Sequence, residues 1–191
     1  MVSAILLAAG ESRRMGSFKQ LLTLAGKTFV ESCVDNLLAS RACEVVVVTG
    51  HREAEVRAAI GARPVRFAHN PDYHSGMSSS VKRGVAAIRD DSRALLVALV
   101  DQPQIGADVF NLVIETYLAE QPLMVLPAYE GRTGHPIVLD LKLRDEILEM
   151  DTEQGLRQVV SLHRNQTRLV EVTSGSILLD FDTPEDYRRL I

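Results

Sequence analysis

The sequence has 191 residues, of which 46% are hydrophobic and 24% are charged, and its formal net charge is −4. This length and composition, without a Pro- or Ser-rich linker or an internal repeat, predict one globular domain over residues 1–191. The acidic balance argues against nucleic acid as a main partner, because binding a phosphate backbone normally requires a basic face. The chain shows neither a signal peptide nor an apolar run approaching the roughly 20 residues of a membrane span, so we expect a cytoplasmic protein.

Strands and helices alternate along the chain. Residues 2–7 are uncharged and partly β-branched, which predicts a strand buried on both faces. Thr28 and Glu31 have the spacing of a capping box, which predicts a helix that begins there and ends near Ser40. The pattern further predicts strands at residues 45–49, 65–68, 95–100, 123–126, 137–139 and 168–172, helices at residues 52–60, 78–88, 141–150 and 153–163, and a turn at residues 70–72.

The alternation predicts an α/β fold, in which a mostly parallel sheet carries helices on both faces. In such sheets ligands bind beyond the carboxyl ends of the strands, where the strand order reverses. We expect the first strand and the strand at residues 95–100 to be neighbours at that point. The segments that follow these two strands are therefore candidates for a ligand site.

The loop after the first strand suits a phosphate-rich ligand. Ala8, Ala9 and Gly10 present no large side chain, so a ligand can lie against the backbone N–H groups. Three cationic side chains follow: Arg13, Arg14 and Lys19. Arg suits forked contacts with phosphate oxygens, and Lys supplies a point charge near a terminal phosphate. The segment therefore predicts a nucleoside triphosphate site.

Two better-known glycine motifs do not fit this loop. Five residues separate Gly10 from Gly16 and no Gly-Lys-Ser/Thr follows, which excludes a P-loop. The Gly-x-Gly-x-x-Gly fingerprint of dinucleotide sites is also absent. The alternative interpretation is an ordinary turn between a strand and a helix with solvated basic side chains.

A single carboxylate follows the strand at residues 95–100. Asp101 ends the apolar run and Pro103 prevents the strand from continuing, so we expect the carboxylate to project from the sheet edge. Mg²⁺ needs only one or two protein carboxylates in addition to substrate phosphates, so Asp101 is enough to begin a magnesium site opposite the basic loop. The alternative is an Asp that caps a helix or a turn.

Two later segments also carry chemical groups. Residues 131–136, Gly-Arg-Thr-Gly-His-Pro, offer backbone N–H groups and the imidazole of His135 to an anionic substrate. In an extended segment Asp180 and Asp182 would share one face and Phe181 would take the other. The alternative for this second segment is an ordinary helix start.

The cysteines do not indicate a metal or redox site. Cys33 and Cys43 match neither a Cys-x-x-Cys motif nor a zinc spacing, so we expect both to be buried, reduced thiols. Cys33 lies on the apolar stripe of the helix that begins at Thr28, which indicates a role in core packing.

Six motifs occur in order along the chain: Leu-Ala-Ala-Gly-x-Ser-x-Arg-Met-Gly-x-x-Lys at 7–19, His-Asn-Pro-Asp-Tyr at 69–73, Gly-Met-Ser-Ser-Ser-Val-Lys at 76–82, Asp-Gln-Pro at 101–103, Gly-His-Pro at 134–136 and Asp-Thr-Pro-Glu-Asp at 182–186. Together they closely resemble the molybdenum cofactor cytidylyltransferases. The resemblance runs nearly end to end, and its most specific part is Gly-His-Pro followed by Asp-Thr-Pro-Glu-Asp. It implies a three-layer α/β/α, Rossmann-like nucleotidyltransferase with a mostly parallel mixed sheet.

The resemblance also implies the reaction. CMP would pass from CTP to the terminal phosphate of molybdopterin, with or without its molybdenum, and pyrophosphate would leave. The related guanylyltransferases typically have Leu-Ala-Gly-Gly in the first loop, whereas residues 7–10 here are Leu-Ala-Ala-Gly, so the chain resembles the cytidine branch. Close relatives also serve as accessory proteins of molybdenum hydroxylases, so an apo-hydroxylase is a possible partner.

Site residues follow from the same resemblance. The nucleotide would be held by Leu7, Ala8, Ala9, Gly10, Arg14, Lys19, Ser80 and Asp101. Arg14, Lys19 and Asp101 would be catalytic, with Asp101 and Asp182 binding Mg²⁺. Gly134 and His135 would lie near the pterin acceptor. Residues 1–105 would thus bind the nucleotide and residues 106–191 the acceptor.

Two other functions remain compatible with the residues. One is a nucleotidyltransferase of the same fold with a different pair of substrates. The pair could be GTP and molybdopterin, or CTP or UTP together with a sugar phosphate or methylerythritol phosphate as the acceptor. The other is a non-catalytic chaperone that carries the nucleotide-modified pterin to an apo-hydroxylase. Magnesium-dependent release of pyrophosphate would distinguish the enzymes from the chaperone.

Overall fold

The computed structural model describes residues 1–151 and 154–190. Its strands are β1 (Val2–Leu7), β2 (Thr23–Leu24), β3 (Lys27–Thr28), β4 (Glu44–Thr49), β5 (Arg66–His69), β6 (Ala94–Leu99), β7 (Met124–Tyr129), β8 (Arg132–Thr133), β9 (Ile137–Asp140) and β10 (Thr167–Glu171). Its helices are α1 (Phe29–Leu38), α2 (Glu53–Ile60), α3 (Met77–Ala87), α4 (Ala107–Glu120), α5 (Arg144–Glu149), α6 (Leu156–Leu162) and α7 (Pro184–Leu190). Within these residues, no helix is both long and apolar enough to cross a membrane.

The main sheet has the strand order β10-β7-β9-β6-β1-β4-β5, with β8 paired to β7. β1 lies parallel to both β4 and β6, and its Ala4 is opposite Val45 and Leu96. β9 is antiparallel to β6 and β7, whereas β10 is parallel to β7. The mostly parallel mixed sheet is therefore confirmed, and so is the adjacency of the first strand and the strand expected at residues 95–100.

Alternate residues of β1 pack against two layers of helices, because successive side chains of a strand point to opposite faces. Ala4 and Leu6 belong to an apolar cluster that includes side chains of α1, α2 and α4. Ile5 and Leu7 belong to a second cluster with side chains of α3, α5 and α6. The sheet is thus covered on both faces, which confirms the three-layer α/β/α architecture.

Two helical regions differ from the sequence expectations. α4 is not predicted, although its buried side chains repeat at helical spacing: Val109, Phe110, Val113, Ile114 and Tyr117. The helix expected at residues 141–150 begins as a 3₁₀ turn, Leu141–Leu143, because Asp140 caps that turn by accepting from the N–H of Lys142. The helix expected at residues 153–163 is found as α6, and residue 153 lies outside the described residues.

The two cysteines have different surroundings. Cys33 is buried, and its Sγ lies 3.7 Å from the carbonyl oxygens of Leu99 and Val100, which confirms its place in the core. Burial raises the pKa of the Cys33 thiol far above its ordinary value. Cys43 is exposed, so the expectation of a buried thiol there is wrong. It lies between α1 and β4, beyond the apolar stripe of the helix, and donates its N–H to Val2 O.

The capping box of α1 predicts a measurable loss of stability in Thr28→Ala. Thr28 Oγ1 accepts from the N–H of Glu31 at 3.3 Å, and Glu31 Oε2 accepts from the N–H of Thr28 at 2.9 Å. Loss of this cap lowers the free energy of unfolding by about 1 kcal/mol at neutral pH. Chemical denaturation of both proteins measures it, with exposed Thr173→Ala as the control that changes stability little.

The same cap gives this difference a pH dependence. The hydrogen bonds from Thr28 hold the pKa of the Glu31 carboxyl below its ordinary value of 4.5. A lowered folded-state pKa contributes stability above the ordinary pKa, and that stability is lost as the pH falls through the folded-state pKa. Thr28→Ala keeps the backbone hydrogen bond to Glu31 and loses the side-chain one. The difference in stability between wild type and Thr28→Ala is therefore expected to narrow as the pH falls below 4.5, and a difference that widens on acidification would contradict this account.

Candidate active site

A cleft of about 280 Å³ opens at the carboxyl ends of β1 and β6, beside the N-terminus of α3. Its walls are formed by Leu7, Ala9, Gly10, Lys19, Gln20, Tyr73, Gly76, Met77, Ser80, Leu99, Val100 and Asp101. Most residues that the sequence assigns to the nucleotide are in this wall. Of the other two, Ala8 is fully buried behind the loop and Arg14 lies on its exposed outer side.

The first loop is wrapped around the buried side chain of Gln20. Gln20 Nε2 donates to Ala8 O at 3.1 Å and to Gly10 O at 2.7 Å, and its Oε1 accepts from Ser12 Oγ at 3.0 Å. Ser12 Oγ in turn accepts from the N–H of Lys19 at 3.1 Å. One carboxamide thereby fixes both ends of the loop and the backbone that carries Lys19. Gln20 is not predicted from the sequence, since nothing in the apolar pattern distinguishes it from a solvated residue.

Lys19 brings two distant carboxylates together at the cleft. Its Nζ donates to Asp101 Oδ2 at 2.6 Å and to Asp182 Oδ1 at 3.0 Å. Arg14 donates to the second oxygen, Asp182 Oδ2, at 2.7 Å. The strand end, the first loop and the C-terminal segment therefore meet in one charged cluster, which contains every residue that the sequence assigns to catalysis or metal binding.

The charge state of Lys19 follows from two opposing effects. Burial of the ammonium group favours the neutral amine and lowers the pKa of Lys19. Asp101 and Asp182 together outweigh that desolvation, so the pKa of Lys19 lies above its ordinary value of 10.5. Lys19 is consequently a fixed cation at neutral pH, able to meet a phosphate oxygen as well as a carboxylate.

The carboxylate of Asp101 retains an unused acceptor. Asp101 Oδ1 is buried and accepts no hydrogen bond from any described residue. A buried carboxylate oxygen without a partner is unfavourable unless a ligand supplies one. The described residues contain no group of three or more His, Cys, Asp or Glu side chains that could hold a metal. The unpartnered oxygen of Asp101 fits a divalent cation of the kind that takes few protein carboxylates and completes its shell with phosphates and water.

The other end of the cleft is shaped by a close approach of two backbones. A Cβ atom on Gly50 would lie 2.9 Å from Ala9 Cβ, Ala9 O and Tyr73 Cβ. The N–H of His51 donates to Ala9 O at 3.1 Å, which ties the end of β4 to the first loop. Only glycine fits at position 50. This requirement is not predicted from the sequence because the contact depends on tertiary packing.

Gly134 and His135 are not among the residues that line the cleft. They precede β9, which pairs with β6 on the edge opposite to β1. A Cβ atom on Gly134 would lie 2.0 Å from Ile177 O, so this position also requires glycine. Burial lowers the pKa of His135 to about 4, although the nearby Asp101 carboxylate opposes that shift. The imidazole is therefore neutral at physiological pH and carries no positive charge.

Two glutamines hold the C-terminal segment at the cleft. Gln102 Nε2 donates to Asp180 Oδ1 at 2.8 Å, and Gln104 Nε2 donates to Ser176 O at 3.0 Å and Leu179 O at 2.9 Å. Phe181 turns inward and packs against Phe29 in a small apolar cluster. Of the two aspartates in this segment, Asp182 contacts Lys19, whereas Asp180 accepts from Gln102.

A family model described as the MobA-like NTP transferase domain matches residues 4–169 of this chain. The chain belongs to this family. It is 28% identical over 187 residues to the molybdenum cofactor cytidylyltransferase of Escherichia coli K12, covering 97% of this chain and 93% of that protein. It is 32% identical over 199 aligned positions to the nicotine blue oxidoreductase of Paenarthrobacter nicotinovorans, covering 100% of this chain and 96% of that protein.

The fold of this MobA-like transferase is also found in solved structures. Rv0371c of Mycobacterium tuberculosis H37Rv, crystallised in complex with manganese, has a TM-score of 0.84 and 24% sequence identity, covering 99% of this chain and 97% of that chain. The likeness extends over the whole sheet and its helices. The family model and this structural likeness together confirm the Rossmann-like nucleotidyltransferase fold of this chain.

Proposed function

We propose that this MobA-like transferase moves CMP from CTP to the terminal phosphate of a molybdopterin-type acceptor. The observation that carries the proposal is the position of Lys19, whose ammonium group lies at the cleft between Asp101 and Asp182. Lys19 can hold a triphosphate and the two carboxylates can hold Mg²⁺, the combination that phosphoryl chemistry requires. The Leu-Ala-Ala-Gly loop and the cytidylyltransferase among the relatives favour CTP and a molybdopterin acceptor.

In the proposed reaction an oxygen of the acceptor phosphate attacks the α-phosphorus of CTP. A new P–O bond forms, the bond between the α-phosphorus and the bridging oxygen breaks, and pyrophosphate leaves with that electron pair. A phosphate monoester has a second pKa of about 6, so the nucleophile is already ionised and needs no general base. The protein's contribution is then to align two polyanions and to neutralise their charge.

Individual residues divide this work. Lys19 and Arg14 hold the triphosphate, and Mg²⁺ bound by Asp101 and Asp182 would supply further positive charge to the departing pyrophosphate. Residues 1–105 hold the nucleotide, whereas residues 106–191 hold the acceptor. Neutral His135 gives the acceptor a hydrogen bond that does not depend on protonation. A molybdenum hydroxylase apo-enzyme would receive the product.

The test is pyrophosphate release from CTP, GTP, UTP and ATP with Mg²⁺, with and without molybdopterin or its molybdenum form. We expect release that depends on both CTP and the pterin, and a cytosine dinucleotide product by mass spectrometry. Replacement of Mg²⁺ by Mn²⁺ is expected to retain turnover, and EDTA to remove it.

Each other outcome identifies a different function. Pyrophosphate release with another nucleotide or acceptor would mean that the chain is a nucleotidyltransferase with a different substrate. Tight pterin binding without release from any nucleotide would favour the chaperone. Because one relative is named an oxidoreductase, the assay also follows the absorbance of a redox dye, and dye turnover without pyrophosphate release would overturn the transferase proposal.

A further inference from the structure

Gln20 is a fully buried amide beside the charged cluster of the cleft. It is 0% exposed and lies in the 3₁₀ turn Lys19–Leu21, directly after Lys19. Its side chain makes three hydrogen bonds, two from Nε2 and one to Oε1, and all three are to the first loop. Because both amide protons are used within the protein, Gln20 acts on a ligand through the loop that it holds.

The orientation of the Gln20 amide is fixed by its partners. Nε2 donates to Ala8 O and Gly10 O, and a carbonyl oxygen can only accept. A reversed amide would place Oε1 against both carbonyl oxygens, so the NH₂ group must face them. The hydroxyl of Ser12 then supplies the donor that Oε1 needs.

Three consecutive carbonyl groups of the first loop are thereby bound within the protein. Gln20 binds Ala8 O and Gly10 O, and the N–H of His51 donates to Ala9 O at 3.1 Å. No described residue accepts a hydrogen bond from the backbone N–H of Ala9 or Gly10, and both residues line the cleft. The loop therefore has its carbonyl oxygens occupied and its N–H groups free, which is the polarity that an anionic ligand requires.

The same amide is connected to Lys19 through one hydroxyl group. Ser12 Oγ donates to Gln20 Oε1 at 3.0 Å and accepts from the backbone N–H of Lys19 at 3.1 Å. The Lys19 ammonium group lies between Asp101 and Asp182. Gln20 thus joins the free N–H groups of the loop to the backbone that carries the buried cation of the cleft.

We propose that Gln20 is a positioning residue that holds the first loop in its nucleotide-binding conformation before the nucleotide arrives. The proposal rests on the proposed function, in which a nucleoside triphosphate occupies the cleft. Without the amide, Ala8 O and Gly10 O lose their donors and gain hydrogen bonds only by turning to water, where they would oppose phosphate oxygens. Nucleotide binding is then weakened in proportion to the fraction of molecules that have lost the binding conformation.

Gln20→Met tests this role, because Met has a similar length and no amide. We expect the dissociation constant of CTP, measured by calorimetry with Mg²⁺ and no acceptor, to rise by about tenfold or more. The value of kcat at saturating CTP is expected to stay within about threefold of the wild-type value, because bound CTP restores the loop. A rise in KM without a matching fall in kcat separates the positioning of the loop from a contribution to the chemical step.

Asn36→Leu is the matched control, since it also removes a carboxamide without changing the size of the side chain. Asn36 Nδ2 donates to Ile105 O at 2.9 Å and to Pro103 O at 3.5 Å, and none of these three residues lines the cleft. The variant is expected to melt at a lower temperature and to bind CTP as the wild type does. Thermal unfolding shows that each variant is folded, and an equal rise of the dissociation constant in both variants would overturn the proposal.

A measurement on the wild-type chain remains decisive if Gln20→Met does not fold. Hydrogen exchange of the side-chain NH₂ groups of Gln20 and of exposed Gln121 is compared by NMR spectroscopy. We expect Gln20 to exchange at least about tenfold more slowly than Gln121, both with and without CTP. Rapid exchange of Gln20 in the free protein, with protection only after CTP is added, would mean that the ligand orders the loop and would overturn the proposal.

The outcomes distinguish this role from the proposed function. Binding of a different nucleoside triphosphate by the wild type, weakened by about tenfold in Gln20→Met, would overturn CTP as the substrate and support the role of Gln20. Wild-type binding of CTP that is unchanged in folded Gln20→Met would overturn the positioning role alone. A wild-type chain that binds no nucleoside triphosphate would overturn both proposals.

Discussion

Asp101→Asn is expected to lower the rate of pyrophosphate release by at least about 100-fold, the scale seen when a group that stabilises transition-state charge is removed. The substitution keeps the size of the side chain but removes the charge that faces Lys19 at 2.6 Å and that would hold Mg²⁺. The midpoint of thermal unfolding is expected to change little, because two effects oppose each other. Asp101 Oδ1 is buried without a hydrogen bond from a described residue, so an amide is less costly to bury there than a carboxylate. Lys19, however, loses one of the two carboxylates that offset the burial of its ammonium group.

Asp140→Asn is the matched control, because Asp140 is a buried carboxylate outside the cleft. Its Oδ2 accepts from Tyr117 Oη at 2.9 Å and its Oδ1 accepts from the N–H of Lys142 at 2.8 Å. An amide at this position disrupts one of these bonds and lowers the free energy of unfolding by about 1–2 kcal/mol, while folded protein keeps its turnover. Turnover by Asp101→Asn above about a tenth of the wild-type rate would remove Asp101 from the metal role.

Asp101→Asn is expected to lower turnover and Asp140→Asn to lower stability, because the site and the fold depend on different features of the sequence. The fold was accessible from the sequence because buried strands such as residues 2–7 and 95–100 are continuous apolar runs between turn residues. Asp101 is identified for the same reason, since it directly follows such a run at the sheet end, but its carboxylate is mostly buried there and does not project as expected. The capping box at Thr28 is local in sequence and is confirmed by its hydrogen bonds.

The buried polar side chains around the cleft cannot be predicted from the sequence in this way. Gln20 and Asn70 are 0% and 2% exposed, and each places its carboxamide according to backbone groups that only the folded chain brings near. Apolar periodicity reports which face of an element is buried but not which polar side chain will be enclosed by a loop. The contact between Lys19 and Asp182 joins residues 163 positions apart and depends on how Gln102 and Gln104 hold the C-terminal segment.

Lys19→Met is the second substitution with a large expected effect, on activity and on stability. Met has a similar length and no charge, so the variant removes the cation that lies between Asp101 and Asp182. The two carboxylates then face each other in a partly buried site, and we expect the free energy of unfolding to fall by about 2 kcal/mol. The value of kcat/KM for CTP is expected to fall by about 100-fold, because the triphosphate loses its most buried cationic contact.

The shift of the melting temperature on addition of Mg²⁺ tests the role of Lys19 more directly than kcat/KM does. In the wild type the ammonium group of Lys19 lies between the two carboxylates and would compete with Mg²⁺ for them. In Lys19→Met that competition is absent, so added Mg²⁺ is expected to raise the melting temperature of the variant more than that of the wild type. Lys27→Met is the control, since Lys27 pairs with Asp35 on an exposed surface and its loss changes stability by less than about 1 kcal/mol. Equal Mg²⁺ shifts in wild type and Lys19→Met would mean that the cation is held elsewhere, and the two aspartates would then serve to position Lys19 against the triphosphate.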